Sequence, residues 1–129
     1  MPTRAYKLYT TTAGNNAATL VVAANSRIRA ISWDLIAING ANVTGGETVQ
    51  LCINMGSSSI GTNNTSGFDL SSCTVTNNVA SSVASAQKTI AGLDIPLKAG
   101  DQLCLNTTTS GGNAETSRAY TCHVYVEQA

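Results

Sequence analysis

Charge is the scarcest commodity in this 129-residue sequence. Asp, Glu, Lys and Arg make up 11% of it, where about 25% is usual. Seven acids balance seven bases, so the formal net charge is zero. That excludes nucleic-acid binding by a basic face, which needs clustered cations for the phosphates. Arg27 and Arg29 are the nearest approach to a cluster. Near-zero charge also gives little self-repulsion, so association is tolerated.

Other absences narrow the field. Aromatics are 5% of the chain: Trp33, Phe68 and four tyrosines. The core must therefore come mainly from Val, Ile, Leu and Ala. No run approaches the roughly 18 apolar residues of a membrane span, so no membrane role is expected. The first residues, from Met1 to Lys7, lack the apolar centre of a secretory signal, which points to synthesis in the cytoplasm. The four cysteines, at 52, 73, 104 and 122, contain no Cys-x-x-Cys pair, so a zinc site is not expected. Two readings of them stand: buried thiols acting as small hydrophobes, or a Cys52–Cys73 disulfide. The latter would close a loop of about 20 residues and add about 3 kcal/mol by the chain-entropy model.

In place of charge stand Thr, Ser, Asn and Gly, in runs such as Thr10-Thr11-Thr12, Ser57-Ser58-Ser59 and Thr107-Thr108-Thr109-Ser110. A surface of neutral hydroxyls and amides suits a packed, shared or extracellular setting: a virion component, an adhesin or a secreted binding domain. The length sets one domain over residues 1–129. Residues 1–10 are either an N-terminal arm or a first strand.

No stretch keeps a helical period. Gly and Asn recur every 8 to 12 residues or so, the spacing of many short strands. Residues 5–10 and 18–23 read as strands. In residues 27–38, Arg27, Arg29, Ile31, Trp33 and Leu35 alternate to one side, and Ile28, Ala30, Ser32, Asp34 and Ile36 to the other. Apolar residues on both sides imply a central strand, or a bulge that changes the inward face. Trp33 is expected to anchor the core. Val49, Leu51 and Ile53 alternate with Gln50, Cys52 and Asn54, giving one core face and one polar face. Residues 55–72 read as a long polar loop tacked down by Phe68 and Leu70, with a short strand from Cys73. Residues 80–88 fit either a helical turn or an irregular edge. Pro96 marks an edge or a strand end, and Gly100-Asp101 a turn. Leu103 and Leu105 point inward from the next strand. In the last strand Tyr120, Cys122, Val124 and Val126 share a face.

About eight strands make an all-β, antiparallel β-sandwich, and a jelly roll is the economical arrangement. An immunoglobulin-like sandwich is the alternative, but Trp33 precedes every cysteine, so its Cys–Trp–Cys order is absent.

Signs of catalysis are missing. The single histidine, His123, sits mid-strand and reads as solvated. The carboxylates Asp34, Glu47, Asp69, Asp94, Asp101, Glu115 and Glu127 mostly border turns, where they cap amides. Asp34 lies within a strand and is expected to pair with Arg27, Arg29 or Arg118. No phosphate-binding glycine loop, nucleophile elbow or calcium loop occurs. No catalytic residue, metal or cofactor is expected.

Two segments resemble a known group. Arg27-Ile-Arg-Ala-Ile-Ser-Trp-Asp-Leu35, followed by a Gly/Asn loop and a Leu-x-Ile strand, resembles the early hairpin of small phage jelly-roll proteins. Ile95-Pro-Leu-Lys-Ala-Gly-Asp-Gln-Leu-Cys-Leu105 resembles their late Gly-Asp turn and strand, followed by a last strand similar to Tyr120-Thr-Cys-His-Val-Tyr-Val126. The group comprises capsid decoration (cement) proteins, head fibres and tail-fibre knobs, and tumour-necrosis-factor-like and C1q-like domains share the turn. The resemblance implies a homotrimer on the outside of a phage head, made in the host cytoplasm and clamping neighbouring major capsid subunits. Arg4, Tyr6 and Tyr9 are the candidate contacts, being residue types enriched at interfaces. The other role within the group is a receptor- or carbohydrate-binding fibre knob, for which Tyr125 or Trp33 would be the stacking platform. A third reading, a hydrolase using Asp34 and a second acid, has no motif behind it.

Overall fold

A computed structural model describes residues 3–12, 14, 17–38, 45–54, 68–77, 83–110 and 117–128. They contain eight strands: β1 (Thr3–Thr10), β2 (Ala18–Val21), β3 (Ser26–Ile38), β4 (Gly45–Asn54), β5 (Phe68–Asn77), β6 (Val83–Leu97), β7 (Gln102–Ser110) and β8 (Ser117–Gln128). Two four-stranded sheets result, with orders β1-β8-β3-β6 and β2-β7-β4-β5. All pairs are antiparallel. The first strand pairs with the last, the second with the seventh, the third with the sixth and the fourth with the fifth. A nested ribbon of this kind, folded over into two facing sheets, is a jelly roll.

The inward faces follow the alternation in the sequence. Val49, Leu51 and Ile53 of β4 meet Leu103 and Leu105 of β7 from the second sheet. Leu8 of β1, Trp33 and Leu35 of β3, and Tyr120, Cys122, Val124 and Val126 of β8 come from the first. Each such aliphatic side chain contributes roughly 1.5–3 kcal/mol by leaving water. Trp33 is buried as a core anchor, and its indole N–H donates to Ser71 Oγ on β5 (2.9 Å), joining the sheets.

In β3 the inward parity changes partway. Ser26 and Ile28 are buried, then Ile31, Trp33, Leu35 and Ala37. The register against β8 steps from Ile28–Val126 to Ala30–Tyr125, so Arg29 is an extra residue on β3. Against β6 the same place spans Ile95 to Ala91, and Gly92 there takes φ 74°. Arg27 and Arg29 therefore do not share the face of Ile31, Trp33 and Leu35. The strand is also central, flanked by β8 and β6.

Two open alternatives are settled and one expectation changes. Residues 83–88 belong to β6, a 15-residue edge strand. Their small, polar sequence has no strong strand signal, but pairing with the long β3 overrides local preference. Residues 68–72 belong to β5, so the long polar interval is shorter than expected. Residues 55–67 lie outside the described residues. Residues 3–10 are a strand laid along β8 for its full length. The Gly100-Asp101 turn forms as expected, with Gly100 at φ 95°. There the Lys98 N–H donates to Asp101 Oδ2 and the Asp101 N–H to the Lys98 carbonyl, both at 2.9 Å. Pro96 sits near the end of edge strand β6.

Candidate assembly surface

The outer face of the first sheet can be read row by row from the register. Ala5, Tyr125, Ala30 and Ala91 form one row; Lys7, His123, Ser32 and Thr89 the next; Tyr9, Thr121, Asp34 and Gln87 the third. Ala119, Ile36 and Ser85, then Ser117, Ile38 and Val83, complete it. Tyr9, Ile36, Ile38, Val83 and Tyr125 are all exposed, and among the described residues the other large exposed apolar side chain is Val21 on β2. Ile36, Ile38, Ser117, Arg118 and Ala119 line a shallow depression at one end.

The electrostatics of this face are nearly balanced. Lys7 and Asp34 are the formal charges within the rows. At the other end from the depression, Asp94 Oδ1 accepts from Arg27 and Arg29 (both 3.0 Å), and Glu127 accepts from Arg29 (3.1 Å). Two cations and two carboxylates there cancel. These pairs are largely exposed, and such bridges are worth about 0–1 kcal/mol. Their opposite charges offset one another at that end of the sheet.

The candidate contacts separate. Arg4 and Tyr9 are exposed on β1, but Tyr6 packs in the core and has no surface to offer a partner. Arg4 lies over the Tyr6 ring at 6.0 Å, and Lys7 over the Tyr9 ring at 5.8 Å. Of the two candidate stacking residues, Trp33 is internal and unavailable to a ligand. Tyr125 is exposed and stacks on His123 with ring centroids 6.2 Å apart.

The carboxylates are placed differently from expectation. Asp34 is exposed and makes no ion pair among the described residues, because Arg27 and Arg29 turn to Asp94 and Glu127. Arg118 turns inward to Glu47 instead. Its Nε and Nη2 donate to the two Glu47 oxygens at 2.7 Å each, and the Tyr120 hydroxyl donates to Oε1. The Glu47 side chain is 0% exposed and that of Arg118 12%. This carboxylate joins β4 to β8 across the sandwich, and its oxygens are committed to a cation and a phenol. The signal for it was present: Glu47 shares the parity of Val49, Leu51 and Ile53, which places it inward.

All four cysteines are thiols, so the Cys52–Cys73 disulfide is not formed. The two lie on opposite faces of the second sheet: Cys73 faces the core beside Val49, whereas Cys52 has the opposite parity and lies outside the core cluster. Burial pushes the Cys122 thiol up to about 12, with Cys73 nearby adding to the shift, and raises Cys73 and Cys104 as well. No group of three or more His, Cys, Asp or Glu side chains able to hold a metal occurs among the described residues. Asp69 and Glu115 fall outside what the side-chain description covers.

The fold thus defines an eight-stranded jelly-roll β-sandwich whose first sheet has an outer face of mixed small, polar and apolar residues, with five exposed large apolar side chains and few formal charges. No protein-family model matches the sequence, and neither does any curated protein. Among solved structures the chain is similar to Eiger TNF from S. frugiperda, with a TM-score of 0.51 and 11% identity over 100% of this chain and 94% of that one. At that identity the likeness establishes the jelly-roll fold. A second similarity is to a chain from the disulfide-linked pili of Bacillus endospore appendages, with a TM-score of 0.36 and 11% identity over 98% of this chain and 87% of that one.

Proposed function

We propose that this chain is a non-enzymatic structural protein of a virus particle. In this reading it is a homotrimer on the outer surface of a phage head, where it bridges major capsid subunits and stabilises the shell. The observation that carries the reading is the outer face of the first sheet, which gathers Tyr9, Ile36, Ile38, Val83 and Tyr125. Four strands about 4.8 Å apart and about nine residues long offer on the order of 600 Å². That approaches the roughly 800 Å² per partner of a standard interface. A chain that exposes five large apolar side chains on one sheet of low charge is suited to covering that face with its own copies. The neutral Ser/Thr/Asn surface supports a shared skin. Arg4, exposed on edge strand β1 and outside that group of apolar side chains, is the candidate contact left for the capsid.

Light scattering and head binding test this together. The expected result is a three-chain mass and saturable binding to expanded heads that then resist heat. A monomer that leaves heads unaffected overturns the proposal. A second reading, a carbohydrate- or receptor-binding fibre knob, is favoured by the exposed Tyr125 stacked on His123. It requires glycan-array binding that Tyr125→Ala abolishes.

A further inference from the structure

We infer that Cys52 and Cys104 are a cross-strand thiol pair built to close into a disulfide that staples the two middle strands of the second sheet. The inference does not depend on the role proposed above. Cys52 on β4 and Cys104 on β7 are direct register partners. Directly opposed Cα atoms in an antiparallel pair are about 4.5 or 5.5 Å apart, and both values lie within the disulfide range of about 4.4–6.8 Å. The β4–β7 register runs unbroken from Gly46 to Asn54; the irregularity at Leu51/Cys52 belongs to the β4–β5 ladder. Both side chains have outward parity, opposite to Leu51 and Leu105.

The sulfur positions are those of an open pair, and the register is what brings the two residues within reach. Asn106, two residues along β7 from Cys104, donates through Nδ2 to Cys52 Sγ at 3.5 Å, so this sulfur leans towards β7. Cys104 Sγ lies 3.9 Å from the Gln102 carbonyl, along its own strand. Closing the bond therefore takes rotation of both side chains, with the Cys52 sulfur leaving Asn106 and the Cys104 sulfur leaving the Gln102 carbonyl. Both residues are buried, at 1% and 0% exposure, so an oxidant reaches them through local opening of the sheet.

With a small external disulfide as oxidant, the step balances. Cys52 loses its proton and attacks one sulfur of the oxidant; the external S–S bond breaks and one small thiolate leaves. The Cys104 thiolate then attacks Cys52 Sγ, forming the internal bond and expelling the second small thiolate. Two protein thiols are oxidised, one external disulfide is reduced, and the two protons released are taken up by the departing thiolates. Burial raises Cys104 above its ordinary value, so the second step is slow near neutrality and quickens with pH.

The test uses the native full chain and cystamine. After acid quench the remaining thiols are alkylated in denaturant, and the peptides are mapped by mass spectrometry. The expected result is a Cys52–Cys104 link with Cys73 and Cys122 alkylated. The oxidised chain should melt roughly 10 °C higher, reversed by dithiothreitol. In Cys104→Ala the cysteamine adduct should persist on Cys52, and the rise in melting temperature should vanish. Recovery of Cys52 and Cys104 as alkylated thiols, a link from either to Cys73 or Cys122, or a rise that survives Cys104→Ala overturns the inference.

Discussion

Glu47 carries more structural consequence than any other charged residue described. Its carboxylate leaves water completely, and Arg118 and Tyr120 supply the hydrogen bonds that compensate. Removing one partner of a buried pair leaves the other charge stranded, at a cost of about 3–5 kcal/mol, while replacing both by apolar groups of similar volume is often neutral. Arg118→Ala should therefore destabilise by about that amount. The triple variant Glu47→Met/Arg118→Met/Tyr120→Phe, which removes the whole polar group, should recover most of the loss, as read by urea unfolding through Trp33 fluorescence. Cys122 sets a second residue-level effect, in alkali. Its folded value is raised from 9.0 to about 12 by burial, so below pH 9 both states hold the proton and stability is unaffected. Between pH 9 and 12 the unfolded chain releases the proton first, so stability falls as pH rises through that window. The measurement is the difference in slope between the protein and Cys122→Ala, whose unfolding free energy should decline less steeply. Both groups were half-legible in the sequence. The alternation places Cys122 on a shared face with Tyr120 and Val124, and Glu47 has the parity of Val49 although it reads as a turn residue; the partners of both lie on other strands, and register is a tertiary fact.

At the scale of the element, β3 depends on one added residue. Arg29 as a side chain makes two largely exposed bridges, so Arg29→Ala should cost about 1 kcal/mol or less. Arg29 as a position switches the inward parity. Its deletion would turn either Ser26 and Ile28, or Ile31, Trp33 and Leu35, towards solvent, because a one-residue slip moves every side chain to the other face. Deletion should abolish cooperative unfolding where the substitution does not; circular dichroism melts of the two variants give the comparison. Apolar residues on both sides of this segment were visible in the sequence and left a central strand or a bulge as explanations; both hold. β6 was not legible in the same way. Ala84, Ser85, Ala86 and Gln87 carry no strand preference, and their conformation comes from the ladder that β3 offers.

For the whole molecule, the sandwich was legible because alternation and turn residues are local properties, and nested strand order is the economical way to close them. The face proposed for assembly was not. Tyr9, Ile36, Ile38, Val83 and Tyr125 are scattered through the chain, and only the order β1-β8-β3-β6 brings them together. That face is also where the mass and head-binding measurements gain their sharpest control. Val83 is 66% exposed at the edge of the sheet, so Val83→Lys should change monomer stability by about 0.5 kcal/mol or less. Placed in an apolar contact between copies, the same lysine should shift the trimer to monomer. Head binding should then weaken by more than one contact's worth, since linked sites multiply their affinities.

The nested strand order also sets a timetable. β8 lies between β1 and β3, so the first sheet has a vacant middle until the last strand has been made. A chain still on the ribosome holds β1, β3 and β6 without the neighbour that joins the first two, and Leu8, Trp33 and Leu35 wait uncovered. Closure of the first sheet therefore waits for β8, whatever the rest of the fold has already formed.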